Sequence, residues 1–158
     1  MRICWFNDNR LGLVKGDRVF DASKALEKLP KPSYPFPPKG DPLIINLDMM
    51  KPHIAAAAEG AKSFAVSEVK FLSPVASPTK IIGTPTNYMD HREEAAQQRE
   101  VFGGRYSGGI EEQGLFLKAN SALVGPGEGV RLRFPDRRTD HEMELGVVIG
   151  RQASNIRK

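Results

Sequence analysis

The chain has one cysteine, Cys4, in 158 residues, so no disulfide can form within it. That fits a reducing compartment and sets aside the disulfide-stapled scaffolds. No apolar run approaches the ~20 residues a helix needs to cross a bilayer, and the opening MRICWFNDNR lacks the make-up of a signal peptide. Internal repeats are absent. The glycine-rich stretch at 102–109 lacks the Gly-Lys-Ser/Thr ending of a P-loop, and no strand runs directly into it. What remains is ordinary for a soluble globular protein, with 40% hydrophobic and 27% charged residues. The length suits one domain, or a small domain with part of another. A net charge of +4 permits an anionic partner, but scattered surface Lys and Arg give the same sum.

Composition divides the chain near residue 73. Residues 1–20 alternate short apolar runs with the turn signals Asp8-Asn9-Arg10 and Lys15-Gly16-Asp17, which predicts a three-strand meander. Asp21 or Ser23 is placed to cap a short helix running to Leu29. Six prolines between Pro30 and Pro42 form a stiff connector. Helices are predicted over 43–50 and 53–62, with Pro52 starting the second, and a strand over 66–72. Residues 73–79 read as a linker. The predicted division is therefore 1–72, a small N-terminal domain, and 80–158, a second domain. The first part holds no constellation of acids, histidines or nucleophiles, so its role is structural.

The second part carries the chemistry. A short strand at 80–84 leads through Pro85 into Asn87-Tyr88-Met89-Asp90-His91-Arg92-Glu93-Glu94, and the polar stretch 89–100 favours helix. On a helix His91 and Glu94 are i and i+3 and share a face. A carboxylate beside an imidazole orients it and raises its basicity, as activation of water requires; an exposed charged helix would show the same pair. The glycine-rich stretch that follows reads as a mobile lid or as simple disorder. Residues 114–118 predict a strand ending in Lys118, a cation suited to an anionic substrate group or to solvent. Beyond Gly125-Pro126-Gly127, a strand at 130–134 would place Arg131 and Arg133 on one face. With Arg137 and Arg138 these suit nucleic acid less well than a solvated sheet face. In HEMELGVVIG, Glu142 and Glu144 stand two apart in an apolar run. On a strand they would share a face and invite a hard divalent cation between them, although a solvent-facing strand edge explains them too.

The order of these segments is more telling than any one of them. A strand, NYMDHREE, a variable segment, FLK, a GPG turn and HEMELGVVIG together resemble the fumarylacetoacetate hydrolase family, closely over 80–150 and more loosely over 1–72, which is similar to the small N-terminal domain of bacterial members. The resemblance implies an α+β, mostly β fold, with mixed sheets rolled around the active site, and a homodimer in the cytoplasm. It makes Glu142 and Glu144 two carboxylate ligands of Mg²⁺ or Mn²⁺, His91 and Glu94 the water-activating dyad, and Lys118 a substrate-contacting cation. The implied substrate is a small 2-oxo acid or β-diketone that chelates the metal, and hydroxide addition followed by carbon–carbon cleavage leaves an enolate. No nucleic-acid or membrane partner is implied. Isomerisation or decarboxylation on the same platform, or a non-catalytic binding role, are the alternatives.

Three departures from the family qualify these expectations. Pro85 stands where many members have glycine two residues before the Asn-Tyr pair, and proline fixes φ and removes a donor. The segment 97–113 is long for the family. A third carboxylate ligand, an Asp on a later strand in the family, is not found before Lys158, so the sequence predicts a fragment of a longer enzyme that is inactive alone.

Overall fold

The computed structural model describes residues 1–97 and 109–157. Two compact units divide the chain, one built from Met1–Ser77 with Val124–Lys158 and the other from Pro78–Leu123.

The first unit is built on the predicted meander. Strands β1 (Arg2–Phe6), β2 (Arg10–Lys15) and β3 (Arg18–Asp21) pair antiparallel in sequence order, and β4 (Ser63–Ala65) joins beside β3. The turns form where the residues allow a left-handed backbone, at Asn7 and Asn9 (φ 47° and 59°) and at Gly16 (φ 59°). The register sets Ile3 opposite Leu13 and Trp5 opposite Leu11. Leu11 and Leu13 therefore face one side, where they pack with Ala25, Leu43, Met50, Ile54 and Ala58. On the other side Phe6 and Val19 are fully buried, and Phe6 meets the Phe64 ring at 5.6 Å between centroids. Cys4 lies on that side opposite Gly12, and burial pushes its thiol above the usual range. A Cβ at Gly12 would come within 2.5 Å of Val19 Cγ1 and 2.8 Å of Cys4 Sγ, so only glycine lets these side chains close over β2.

Three elements differ from expectation. The segment after β3 is a 3-10 helix, Ser23–Lys28, whose first amide, that of Ser23, donates to Asp21 Oδ1 at 3.0 Å. The helical region breaks at Asn46, not at Pro52, giving α1 (Pro42–Ile45) and α2 (Leu47–Ala58) with Pro52 inside α2. Asn46 Nδ2 donates to the Pro42 carbonyl at 2.8 Å, which ends α1. Proline is tolerated in α2 because Met50, Ile54 and Ala58 repeat at four-residue spacing and are buried. No strand forms over 66–72 as predicted: β4, Ser63–Ala65, ends just before it, and within it stand a 3-10 turn at Val66–Glu68 and a single bridge from Phe71 to Phe6.

Asp41 ties this unit together. It is 6% exposed, and its Oδ1 accepts from the amides of Leu43 and Ile44 at 3.0 and 3.1 Å, capping α1. Its Oδ2 accepts from the Ser77 amide at 2.8 Å. The second unit pairs β5 (Ile81–Gly83) antiparallel with β6 (Phe116–Lys118), and it carries α3 (Met89–Gln97) and α4 (Ile110–Gln113) between them.

Asp41→Ala removes the acceptor of three amides, two at a helix N-terminus and one in a partly buried segment. Loss of the cap with unpaired buried donors should cost about 2 kcal/mol or more. Urea denaturation measures this, and hydrogen exchange at the Ser77 amide should accelerate in step.

Candidate active site

His91 and Glu94 come together on one helix face. Met89–Gln97 is helical, as the polar, Ala- and Gln-containing sequence favours, and Ala95 is its buried residue. One turn along this helix, His91 Nδ1 and Glu94 Oε2 lie 3.7 Å apart. That is ion-pair range and longer than a hydrogen bond. His91 is 27% exposed and Glu94 56%, so the imidazole is sheltered on one side while the carboxylate stays wet.

The turn leading into this helix is held from several directions. Thr86 has φ +39°, a left-handed backbone costly for a β-branched residue. Its carbonyl accepts from Arg92 Nε at 3.0 Å, and its hydroxyl accepts from Gln113 Nε2 at 3.1 Å. The Arg92 guanidinium also lies 3.9 Å from Glu111 Oε2. Sequence reasoning passed over Arg92 and Gln113. The available signal was a cation beside His91 with two acids, Glu111 and Glu112, further along the chain.

Lys118 ends β6 in the same unit as His91 and Glu94, as the sequence predicts. It is exposed, with its Nζ 5.7 Å from the centroid of the Phe116 ring. That ring lies across from Gly83, where a Cβ would come within 2.8 Å of its Cε atoms. The lid predicted at 102–109 lies outside the described residues except for Gly109.

Glu142 and Glu144 belong to the other unit. The strand predicted over HEMELGVVIG is not present, and residues 141–150 have no regular secondary structure. Met143, Leu145 and Val147 are 95%, 80% and 74% exposed. A strand exists only where a neighbour answers its backbone N–H and C=O groups, and no described strand pairs with this segment. The strand predicted at 130–134 fails for the same reason. There the Arg133 and Arg137 guanidiniums cover the Phe134 ring instead, 5.3 and 4.3 Å from its centroid.

Two carboxylates suit a hard divalent cation by their oxygen chemistry. Among the described residues, however, no group of three His, Cys, Asp or Glu is gathered to hold one. The described residues therefore offer part of a donor set and not a complete metal site.

Residues 80–158 match the family described as fumarylacetoacetate (FAA) hydrolase C-terminal. The chain belongs to the fumarylacetoacetate hydrolase family. It is 47% identical over 158 residues to a maleylpyruvate hydrolase of Aquipseudomonas alcaligenes, covering 99% of this chain and 55% of that protein. A mitochondrial oxaloacetate tautomerase of Bos taurus is 32% identical over 93% of this chain and 42% of its own length. A crystal structure of maleylpyruvate hydrolase from Sphingobium sp. SYK-6 superposes with a TM-score of 0.52 at 30% identity, over 78% of this chain and 40% of that one. The same enzyme in complex with manganese(II) and pyruvate gives 0.50 over 78% and 39%. The chain thus spans about half the length of this curated hydrolase, and the α+β class read from the sequence is borne out.

The segment that carries the two glutamates runs into Arg151, which pairs with Asp48 on α2. Lys51 first and Arg151 second hold the Asp48 carboxyl down at about 2, against an ordinary 3.8. A carboxyl depressed in the folded state adds stability that is present above about 3.8 and is lost as pH falls toward 2. The group is fully exposed, so salt screens much of the effect. Arg151→Gln should raise the Asp48 midpoint, followed by carboxyl NMR at low ionic strength. An unmoved midpoint would mean that Arg151 does not rest on α2 in solution.

Proposed function

We propose that the protein is a metal-dependent hydrolase that cleaves a carbon–carbon bond in an acylpyruvate, with maleylpyruvate as the leading substrate. The observation that carries this reading is the sheltered His91 with Glu94 one helical turn away, in a chain 47% identical along nearly its whole length to a maleylpyruvate hydrolase. The tautomerase relatives are more distant, at 32% identity over a similar span, which favours hydrolysis over isomerisation.

His91, oriented by Glu94, takes a proton from water, and the hydroxide adds to the acyl carbonyl carbon. The bond from that carbon to the pyruvate methylene then breaks, and its electron pair stays with the pyruvate half as an enolate. The proton held by His91 passes to the methylene carbon of the enolate to give the methyl group of pyruvate, and the acyl half leaves as a carboxylic acid that loses its proton to solvent. Lys118 offers the positive charge that a developing enolate needs. The cofactor is Mn²⁺ or Mg²⁺, with Glu142 and Glu144 as two of its ligands; the manganese(II) bound by the Sphingobium enzyme supports the first. The working form is a cytoplasmic homodimer, and the catalytic domain begins at residue 80 after a small N-terminal domain.

The test is turnover of maleylpyruvate by the protein as expressed from its gene. Maleate and pyruvate should appear in equal amounts, with activity abolished by a chelator and restored by Mn²⁺. His91→Ala should lower kcat by a factor of about 10² to 10⁴. Wild-type kcat in that variant would remove the dyad from the mechanism, and activity indifferent to chelation would remove the metal.

A further inference from the structure

The turn ahead of α3, which begins at Pro85, is where the second unit concentrates polar contacts. Proline fixes its own φ and supplies no N–H, and the next residue, Thr86, takes a left-handed backbone at φ +39°. Such a conformation persists only where its surroundings hold it. Arg92 grips the Thr86 carbonyl and Gln113 the Thr86 hydroxyl, and these two residues come from opposite ends of the α3–α4 stretch. The Arg92 guanidinium lies against Gly109, where any Cβ would run into it, and faces Glu111.

From this arrangement we propose that Arg92 is a positioning residue for His91. Its side chain locks the Thr86 turn to the Gly109–Glu111 segment and so fixes the azimuth of the helix that presents the imidazole. Resting on the reading of His91 as the water-activating base, this assigns to Arg92 and Gly109 a role that contact with substrate does not require. Arginine is needed because one planar fork must meet a carbonyl and a carboxylate together, which an ammonium cannot do with the same geometry. A Cβ at 109 would press on the Arg92 guanidinium, the mobile end of that side chain, and not on backbone, so Gly109→Ala displaces the guanidinium selectively; the Gly109 backbone itself has ordinary negative φ (−89°).

The experiment compares wild type, Arg92→Met, Arg92→Lys, Gly109→Ala and His91→Ala on maleylpyruvate with saturating Mn²⁺. Arg92→Met and Gly109→Ala should each lower kcat about tenfold with KM changed less than twofold, the pattern of a misplaced base rather than a lost binding contact. Arg92→Lys should fall between, and millimolar guanidinium should restore part of the Arg92→Met loss. Wild-type kcat in both Arg92→Met and Gly109→Ala overturns the proposal, as does a loss that merely follows the folded fraction measured by circular dichroism. If Arg92→Met does not fold, Gly109→Ala and Arg92→Lys decide. Activity lost in His91→Ala but kept in the Arg92 and Gly109 variants sinks this inference alone, whereas activity kept in His91→Ala sinks the reading beneath it.

A second readout needs no turnover. Imidazole ¹⁵N shifts of His91 should differ between the wild type and Gly109→Ala, because the ring changes its position relative to Glu94. Identical spectra would overturn the proposal even for a protein that does not act on maleylpyruvate.

Discussion

The Asp41 carboxylate accepts three backbone amides from a position almost closed to water. Two of those amides start α1, and the third belongs to Ser77, at the end of the Met1–Ser77 stretch. A buried carboxylate without such donors would be costly, and buried amides without it equally so. The interaction therefore sets where the helical layer begins on the β1–β4 sheet, and it fixes the chain just before it enters the second unit. The apolar packing of Leu11, Leu13, Met50 and Ile54 supplies the bulk of the stabilisation there. Asp41 decides the placement of the elements that do the packing.

A related demand, that every backbone donor and acceptor find a partner, explains which parts of the molecule could be read from the chain. The β1–β3 meander was legible because each turn signal sits between two apolar runs short enough to pair with each other. The α3 helix and the closeness of His91 and Glu94 were legible because an i, i+3 relation is local. HEMELGVVIG reads as a strand by composition, yet a strand depends on a neighbour that the segment itself does not specify, and no described strand serves. Pro52 misled for a simpler reason. Proline suits a helix start, but a helix with a strong apolar repeat absorbs the loss of one hydrogen bond, and the competing side chain of Asn46 ended α1 first.

The proposed functional residues fall into two kinds. His91, Glu94 and Lys118 stand on regular elements of one unit, β6 and α3, and the helix is held by contacts with the turn before it and the short helix after it. Glu142 and Glu144 stand on an irregular, exposed segment whose far end is linked to α2 through Arg151 and Asp48. Proton transfer needs a base held in place, and the first group has that support. A metal needs several donors converging, and among the described residues no third donor is gathered with the carboxylate pair. Both groups lie within residues 80–158, the stretch that matches the family.

The carboxylate pair is therefore where the functional reading is most exposed, and Mn²⁺ binding tests it without reference to any substrate. Electron paramagnetic resonance counts free Mn²⁺ as the ion is titrated into the wild-type protein and into Glu142→Gln and Glu144→Gln. The prediction is one bound Mn²⁺ per chain in the wild type, with affinity at least about tenfold weaker in each variant, given that even outer-shell changes cost 10- to 100-fold. Equal Mn²⁺ affinity in all three proteins would contradict the assignment of these glutamates as metal ligands.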